Sequence, residues 1–313
     1  MSRLALLLAS FALAITCAAS DTVTFDHVKI HRHRSAEKRA LVDKVGALTF
    51  DDTNRKFTFE KNREDRFDEP EIVVVGYDSV TKIVFDVTAH MRGGGIAQAI
   101  QAAPFGGGIV GAVIAGQHVH DYWFYIEYKN ADQNERLLLE VPKDSSQKVI
   151  AKASSLFGSR VSVSDFPEND EEIDLQKLPA FKSKQSMKID KKNRPVPEAK
   201  LDKATIVVVC PPLAARYSGK GNQYKLHANE RVIAVNREGT YGFAYVDPGK
   251  YRLASQAENA NGFEMELDAG KTYYFLQNTF QGVFRARTTL SRNSPELVGY
   301  LMEGTYFSDW TLK

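Results

Sequence analysis

Histidines are the residues of this chain whose types and spacing could do chemistry, and they form two groups. His27, His31 and His33 are separated by even numbers of positions in TVTFDHVKIHRHR, so a strand there would place three imidazoles on one face. Three imidazoles can bind a metal ion, but the nearby carboxylate, Asp26, would point to the other face. We therefore interpret this segment as a solvated, basic strand edge close to the start of the folded chain.

The second group, His90, His118 and His120, flanks the ends of an uncharged segment. If the flanking strands pair, the three imidazoles would approach one another and could bind zinc or copper, or respond to pH near an ordinary histidine pKa of about 6.5. The alternative is simple hydrogen bonding at a sheet end. We favour that alternative and predict no metal site.

Recognisable catalytic patterns are absent from the sequence, which has no GxSxG, HExxH or CxxC motif. The run SGKG at 218–221 is similar to the end of a phosphate-binding loop. It lacks the upstream glycine, and Gly221 stands where Ser or Thr would hold magnesium. The sequence predicts a non-enzymatic protein without catalytic residues or cofactors. An enzyme with an unrecognised, scattered site is an alternative.

Composition limits the class of partner. The chain has 313 residues, 43% of them hydrophobic, which corresponds to about two domains with their own cores. Its 41 basic and 39 acidic residues nearly balance. Nucleic-acid binding needs a basic face that replaces counterions along the phosphates, so we predict no nucleic-acid partner.

Residues 1–20 have the layout of an export signal: Arg3, an apolar run at 4–15, and small residues up to Ser20. The apolar run is shorter than the roughly 20 residues that cross a bilayer. We expect export to the periplasm, with cleavage after Ser20 or, alternatively, lipid attachment at Cys17. Cys210 would then have no partner for an internal disulfide, and we predict that it is a small buried residue.

The pattern of residues 21–160 predicts one β domain. Short alternating strands are followed by an amphipathic helix from Ser145 to Phe157, with Asp144 or Ser145 as its cap and Gly158 at its end. The order of GALTF, GYDSVTKIVFD, an aromatic strand and a closing helix resembles the pleckstrin-homology and GRAM-like domains of bacteria over residues 45–158. The resemblance implies a barrel or bent sheet with one C-terminal helix. No lipid-binding residue can be matched, so it implies no headgroup site.

The aromatic strand DYWFYIEYK has two large apolar faces. Trp123 and Tyr125 share the face that the domain's own core would leave outside. We interpret this face as covered by other parts of the protein. Placement at a membrane interface, where such rings are enriched, is the alternative.

Residues 161–203 are charged and contain four prolines, which predicts an inter-domain linker. From residue 204 to 313, alternating strands and explicit turns predict an antiparallel β-sandwich, with a helix beginning after Ser294 or, alternatively, a loop there. Residues 204–304 resemble an exported bacterial domain of unknown function, family 2846. The resemblance rests on turn and core positions, and it implies a β-sandwich and no chemistry: Pro248, Gly249, Tyr251, Ala269, Gly270, Tyr273 and Tyr274.

The uncharged, glycine-rich insertion at 93–117 is the most unusual segment of the chain. Each helical half around Pro104 would be too short to cross a bilayer. Small residues recur at every fourth position of its second half and predict a surface for membrane or self-association: Gly107, Gly108, Gly111, Ala112, Ala115 and Gly116. The alternative is a hairpin folded over its own domain.

Taken together, these patterns predict a mainly β, exported bacterial envelope protein that acts as a membrane-associated adaptor or assembly module. Its expected partners are the membrane, another envelope protein, or a second copy of the chain. A periplasmic protein that binds a glycan or small molecule through sandwich aromatics is the alternative.

Overall fold

The structure, a computed structural model, describes residues 22–33, 41–62, 71–92, 117–164, 171–172, 185–212, 222–281 and 286–312. Within these ranges it contains nineteen strands and two α-helices. The prediction of a mainly β fold is confirmed. Cys17 and the small residues from Gly107 to Gly116 lie outside the described residues, as does the SGKG run.

The N-terminal half forms one eight-stranded sheet. Its strands are β1 (Thr22–His33), β2 (Leu41–Asp51), β3 (Lys56–Lys61), β4 (Ile72–Gly76), β5 (Val80–Arg92), β6 (Gln117–Asn130), β7 (Gln133–Val141) and β8 (Val161–Val163). They lie in the order β4-β3-β2-β1-β7-β6-β5-β8. All neighbours are antiparallel except β5 and β8.

The sheet is bent, so that the inner faces of its strands share one core with helix α1 (Lys143–Phe157). Val149, Ala153 and Phe157 form the buried stripe of this helix. The helix ends at Gly158, whose φ of +53° is a conformation that glycine adopts without strain. The prediction of Asp144 or Ser145 as the cap is wrong. The cap position is Pro142, because Lys143, Asp144 and Ser145 are already helical, and no side chain makes the capping bond.

The C-terminal half forms two further sheets. Its strands are β9 (Glu171–Glu172), β10 (Gln185–Asp190), β11 (Ala204–Cys210), β12 (Tyr224–Ala228), β13 (Arg231–Asn236), β14 (Thr240–Val246), β15 (Gly249–Gln256), β16 (Ala260–Leu267), β17 (Thr272–Gln281), β18 (Ala286–Asn293) and β19 (Tyr306–Leu312). One sheet has the order β10-β19-β14-β11-β17-β18 and the other β13-β12-β15-β16-β9. Helix α2 (Pro295–Glu303) joins β18 to β19.

These two sheets enclose a common core and form the predicted sandwich, but its six-stranded sheet is mixed rather than wholly antiparallel. Strand β11 is parallel to β17, and β14 is parallel to β19. Sequence alternation could not show this, because it reports which face of a strand is buried and not the direction of its neighbours. The predicted helix start is confirmed: the Ser294 hydroxyl accepts the amide hydrogen of Leu297.

The range predicted to be a linker contributes one edge strand to each of the three sheets. These are β8 in the first sheet, β9 in the five-stranded sheet and β10 in the six-stranded sheet. Edge strands have a single neighbour and tolerate charged residues, so this charged sequence gave no strand signal.

A second core joins the two halves of the molecule. On the outer face of the first sheet, Val84, Trp123, Tyr125 and Leu138 pack against β11, β14, β17 and helix α2. The interpretation of the aromatic strand as covered on both faces is confirmed, because Trp123 and Tyr125 are buried. The membrane-interface alternative for these two rings is wrong.

Strand β1 is not a solvated edge, and that interpretation is wrong. It pairs with β2 on one side and with β7 on the other. A bulge between Phe25 and Val28 holds His27 at a φ of 59°, so the simple alternation of the three histidines is broken. His31 is buried, with 1% of its surface exposed. The covering strand β7 follows about a hundred residues later, and local sequence could not reveal it.

Candidate functional site

A cleft of about 490 Å³ opens where the two halves of the molecule meet. Its walls come from β6 and β7 of the first sheet, from β14 of the sandwich and from helix α2, with Arg194 and Val196 at its margin. Tyr125, Tyr241 and Tyr300 lie in these walls, and all three rings are buried.

The three tyrosine hydroxyls donate to acceptors of the protein itself. Tyr125 donates to Glu127 Oε1 at 2.7 Å, Tyr241 to the carbonyl of Pro195 at 2.9 Å, and Tyr300 to the carbonyl of His31 at 2.8 Å. Burial raises the pKa of Tyr300 to about 12 and also raises that of Tyr125. Tyr125 and Tyr300 therefore stay neutral near pH 7, and the three hydroxyl bonds position the walls of the cleft.

Charged residues at the cleft are mostly paired across the two halves. Arg136 makes a bidentate ion pair with Glu303, at 2.6 and 3.0 Å. Lys82 pairs with Glu296 at the other end of α2. Arg194 donates to the carbonyls of Met302 and Glu303, at 2.8 and 2.9 Å, and so binds the C-terminal end of the helix. These ion pairs and hydrogen bonds hold α2 in place at both of its ends.

A buried polar cluster around His31 lies at the same interface. Nδ1 of His31 is 2.8 Å from Asp43 Oδ1, and Nε2 is 3.2 Å from Glu140 Oε2. The imidazole packs on the Trp123 ring with centroids 4.9 Å apart, while Lys29 donates to Glu140 at 2.5 Å. Because both ring nitrogens face carboxylates, the arrangement favours the imidazolium form.

The pKa values of the cluster follow from these contacts. Burial by itself lowers the pKa of His31, but hydrogen bonds and charges from Asp43 and Glu140 outweigh it and raise the pKa. Burial by itself raises the pKa of Glu140, but the bond from His31 and the charge of Lys29 outweigh it and bring the pKa to about 2. A buried imidazole whose Nε2 is bonded to Glu140 and whose Nδ1 lies against Asp43 cannot serve as a general base for a substrate.

Asp86 is the second polar anchor of the interface. It lies on β5 among apolar neighbours, and its Oδ2 accepts the backbone amide of Ser294 at 2.7 Å while Oδ1 accepts the side-chain amide of Asn293 at 3.1 Å. Burial raises its pKa, and the bonds from Ser294 and Asn293 oppose that rise. The carboxylate therefore fixes the start of α2 to the first sheet. Its one sequence signal was a charged residue inside the apolar run KIVFDVT.

The backbone register of β5 and β6 places His90 on a different face of the hairpin from His118 and His120. Strands β5 and β6 do pair, as expected for a closed neck, but His90 is opposite Val119, whereas His118 is opposite Met91 and His120 opposite Ala89. In the described ranges, no group of three or more His, Cys, Asp or Glu side chains could hold a metal ion.

The remaining reactive side chains lie inside the sandwich. Cys210 is fully buried, as predicted, and burial raises the pKa of its thiol well above the ordinary value. His227 is buried with Nε2 at 2.7 Å from Gln256 Oε1, and burial lowers its pKa. Neither is accessible as a nucleophile or base. Among the residues that the structure describes, no helix is long and apolar enough to cross a membrane.

No protein-family model matches this chain, and no curated protein matches it.

Proposed function

We propose that this chain is a non-enzymatic, exported protein of the bacterial envelope that works as a membrane-associated adaptor or assembly module. The observation that carries the proposal is the pairing of β5 with β6 up to Arg92 and Gln117. The residues on either side of the uncharged insertion therefore lie directly opposite each other at the end of one hairpin stem.

The base of this stem is rigidly held. Ile83 and Phe85 pack into the first core, and Val84 packs into the core that joins the two halves. On β6, Phe124 packs into the first core and Trp123 packs into the core that joins the two halves. A stem whose base is buried on both faces supports the proposal that the uncharged segment following it serves association.

The closed stem permits a clean deletion experiment. Residues 93–116 are replaced by Asn-Gly, which favours a tight hairpin turn between paired strands. We expect the unfolding temperature to stay within a few degrees of the wild type, because Arg92 and Gln117 already pair. Binding to phosphatidylethanolamine–phosphatidylglycerol vesicles, measured by co-flotation, should fall to background.

A matched control replaces the same 24 positions with a Gly-Ser segment of equal length. It should also lose vesicle binding, which separates the apolar sequence from mere loop length. Vesicle binding retained by both variants would contradict the proposal. Mass spectrometry of the mature N-terminus decides between cleavage after Ser20 and lipid attachment at Cys17, and the vesicle assay uses the unlipidated chain.

We also propose that the two halves are related to the families that their sequences resemble. A bent sheet closed by a helix after its seventh strand supports the pleckstrin-homology and GRAM-like resemblance. Gly249, with a φ of 141°, and Gly270, with a φ of 75°, support the turn positions of the sandwich resemblance. Solved structures of members of the two families would test this through the order of their strands.

A second candidate function is ligand binding in the interdomain cleft, and its volume of about 490 Å³ favours it. Small-molecule sites fall in the range of roughly 300 to 1,000 Å³. The exposed large hydrophobic side chains of the described residues include no Phe, Tyr or Trp, so the cleft is a better site than a stacking surface on the sandwich.

The cleft can be blocked without disturbing its surroundings. Gly299 lines it, and a Cβ atom at this position meets no atom within 4 Å. In a thermal-shift screen of oligosaccharides and short peptides, Gly299→Phe should abolish any shift that the wild type shows. A shift that survives in Gly299→Phe would place the ligand elsewhere.

A further inference from the structure

Strand β4 is an edge of the first sheet that no described strand covers. It pairs with β3 on one side only. Its burial alternates: Val73 and Val75 face the core, whereas Ile72 is 52% and Val74 55% exposed. The sequence IVVVG of this strand contains no charged residue and no proline. An uncharged edge with exposed apolar side chains is a template for pairing with another strand.

The other sheet edges of the described chain are protected. Strand β8 has only three residues and β9 only two, both of them glutamate. The longer edge strands each carry at least one charged side chain: Lys188 and Asp190 on β10, Arg231 on β13, and Arg287 and Arg292 on β18. Short strands and charged residues are the usual means by which proteins prevent edge pairing. Of the described edges, β4 lacks both.

We propose that β4 pairs with β4 of a second copy of this chain, antiparallel and about a twofold axis at Val74. This inference goes beyond the proposed membrane role and does not depend on it. In this register Val74 lies opposite Val74 of the second copy, and Ile72 lies opposite Gly76. The two sheets become one continuous sheet of sixteen strands.

The charges beside β4 do not oppose pairing in this register. Within one copy, Glu60 of β3 is the neighbour of Ile72, and Lys56 of β3 is the neighbour of Gly76. Opposite residues of paired strands share a face. One row across the junction therefore reads Glu60, Ile72, then Gly76 and Lys56 of the second copy. The symmetry axis repeats the row in reverse. Glu60 and Lys56 of the second copy stand at the two ends of each row, about 14 Å apart, so no like charges meet across the junction.

The residue before β4 adds no uncompensated charge to the junction. Glu71 accepts from Arg32 at 2.8 Å and also pairs with Lys44. Both partners belong to the same copy. A negative charge at the start of the strand is thus neutralised before the second copy approaches. Like charges across paired strands would otherwise oppose the dimer.

The expected dimer is weak. Five residues of strand extend about 17 Å, and a stable interface usually buries roughly 800 Å² on each partner, which a single edge pair does not reach. The dimer should therefore dissociate on dilution. The exposed side chains of Ile72 and Val74 and the open backbone groups of β4 supply the free energy of association.

Sedimentation velocity of the full mature chain without membranes tests the proposal. Over a dilution series the wild type should shift from dimer to monomer. Val74→Lys and Val74→Asp each place two like charges at the axis, and each should raise the dissociation constant about tenfold or more. An equimolar mixture of the two variants should restore the dimer, because position 74 meets position 74.

The other edge of the same sheet provides the matched control. Val163 on β8 is 53% exposed, almost the same as Val74 at 55%, so Val163→Lys should leave the dimer unchanged. The variant with 93–116 replaced by Asn-Gly should also still dimerise, which keeps this result separate from membrane binding. A wild type that is monomeric throughout, a mixture that stays monomeric, or a dimer lost in Val163→Lys would each overturn the proposal.

Discussion

The two halves of the eight-stranded sheet have equally apolar inner faces, but their outer faces have different environments. On β5, β6 and β7 the outer residues, such as Trp123 and Leu138, are buried under the sandwich and helix α2. On β2 and β4 the outer residues Val45, Ile72 and Val74 are exposed. Both KIVFDVT and EIVVVG are nearly continuous apolar runs. A strand's composition alone therefore does not reveal whether its second face is covered within the chain.

The covered half is distinguished by buried polar groups. His31 and Asp86 each bridge elements that are far apart in sequence, and each is hydrogen-bonded or ion-paired on the outer face of the sheet. The ion pairs described on the uncovered half are partly or largely exposed, such as those of Glu71 with Arg32 and of Asp78 with Arg55. Buried polar bonds fix the orientation of one surface on another, and such bonds occur where the two halves of this molecule join.

The largest expected difference between the covered and the uncovered half of the sheet is the loss of unfolding free energy caused by Trp123→Ala. Trp123→Ala removes a buried ring that donates to the Thr88 hydroxyl at 3.0 Å, and we expect a loss of about 3 to 5 kcal/mol. Val74→Ala, on the uncovered half, should cost less than about 0.5 kcal/mol. Urea denaturation followed by circular dichroism measures both. Equal losses of unfolding free energy in Trp123→Ala and Val74→Ala would contradict the distinction between the covered and the uncovered half of the sheet.

Asp86→Ala tests the polar anchor of the covered half. The substitution leaves the amides of Ser294 and Asn293 without their acceptor in a buried place, and we expect a loss of about 2 to 3 kcal/mol. Glu60→Ala, an exposed carboxylate on β3, is the control and should cost less than about 0.5 kcal/mol. A loss no greater than that of the control would mean that Asp86 does not hold α2 on the sheet.

His31→Gln should change the pH dependence of stability. The raised pKa of His31 stabilises the fold fully below its unfolded value of 6.5, and this contribution is lost as pH rises through the folded pKa. The lowered pKa of Glu140 acts in the opposite direction: its contribution is present above 4.5 and is lost as pH falls towards about 2. Both groups therefore contribute their full stabilisation between pH 4.5 and pH 6.5.

We expect His31→Gln to lower the unfolding free energy by about 2 kcal/mol at pH 5.5, where charge-assisted bonds are lost, and by less at pH 9. His120→Gln, a partly exposed histidine on β6, is the control. Denaturant titrations at a series of pH values compare the variants with the wild type. An unchanged slope between pH 6 and 9 in His31→Gln would exclude His31 as the group responsible.

The smallest expected effect is at the margin of the interface. Arg136→Ala removes the bidentate pair with Glu303, whose two side chains are 41% and 42% exposed. Surface ion pairs contribute about 1 kcal/mol or less, and salt screens them. The difference from the wild type should shrink further at high salt. A loss as large as that of Asp86→Ala would show that the interface depends on its margin as much as on its buried anchors.

Much of the local structure could be predicted from the sequence. Alternation in GFEMELD, the glycines at 249 and 270, the start of α2 after Ser294 and the burial of Cys210 depend on residues within a few positions of one another. The double burial of the aromatic strand was also predictable, because Trp123 and Tyr125 leave it no solvated face. These features follow from backbone geometry and side-chain period.

The position of each strand within a sheet could not be predicted. His31 lies on a central strand because β7, bearing Glu140, pairs with β1 from 109 positions away. The charged range after residue 160 supplies edge strands because each sheet leaves an open edge within its reach. In the sequence Asp86 is an isolated charge, because its donor, the backbone amide of Ser294 at the start of α2, lies 208 positions later.

The sequence by itself therefore determined which faces of the strands must be buried, since that depends on the apolar side chains a strand carries. Tertiary structure alone decided what covers each face, since any apolar surface of the right shape satisfies the hydrophobic effect equally well. Directional hydrogen bonds and ion pairs at Asp86 and His31 select one docking of the two halves. No described element covers the outer face of β4, where Ile72 and Val74 are exposed.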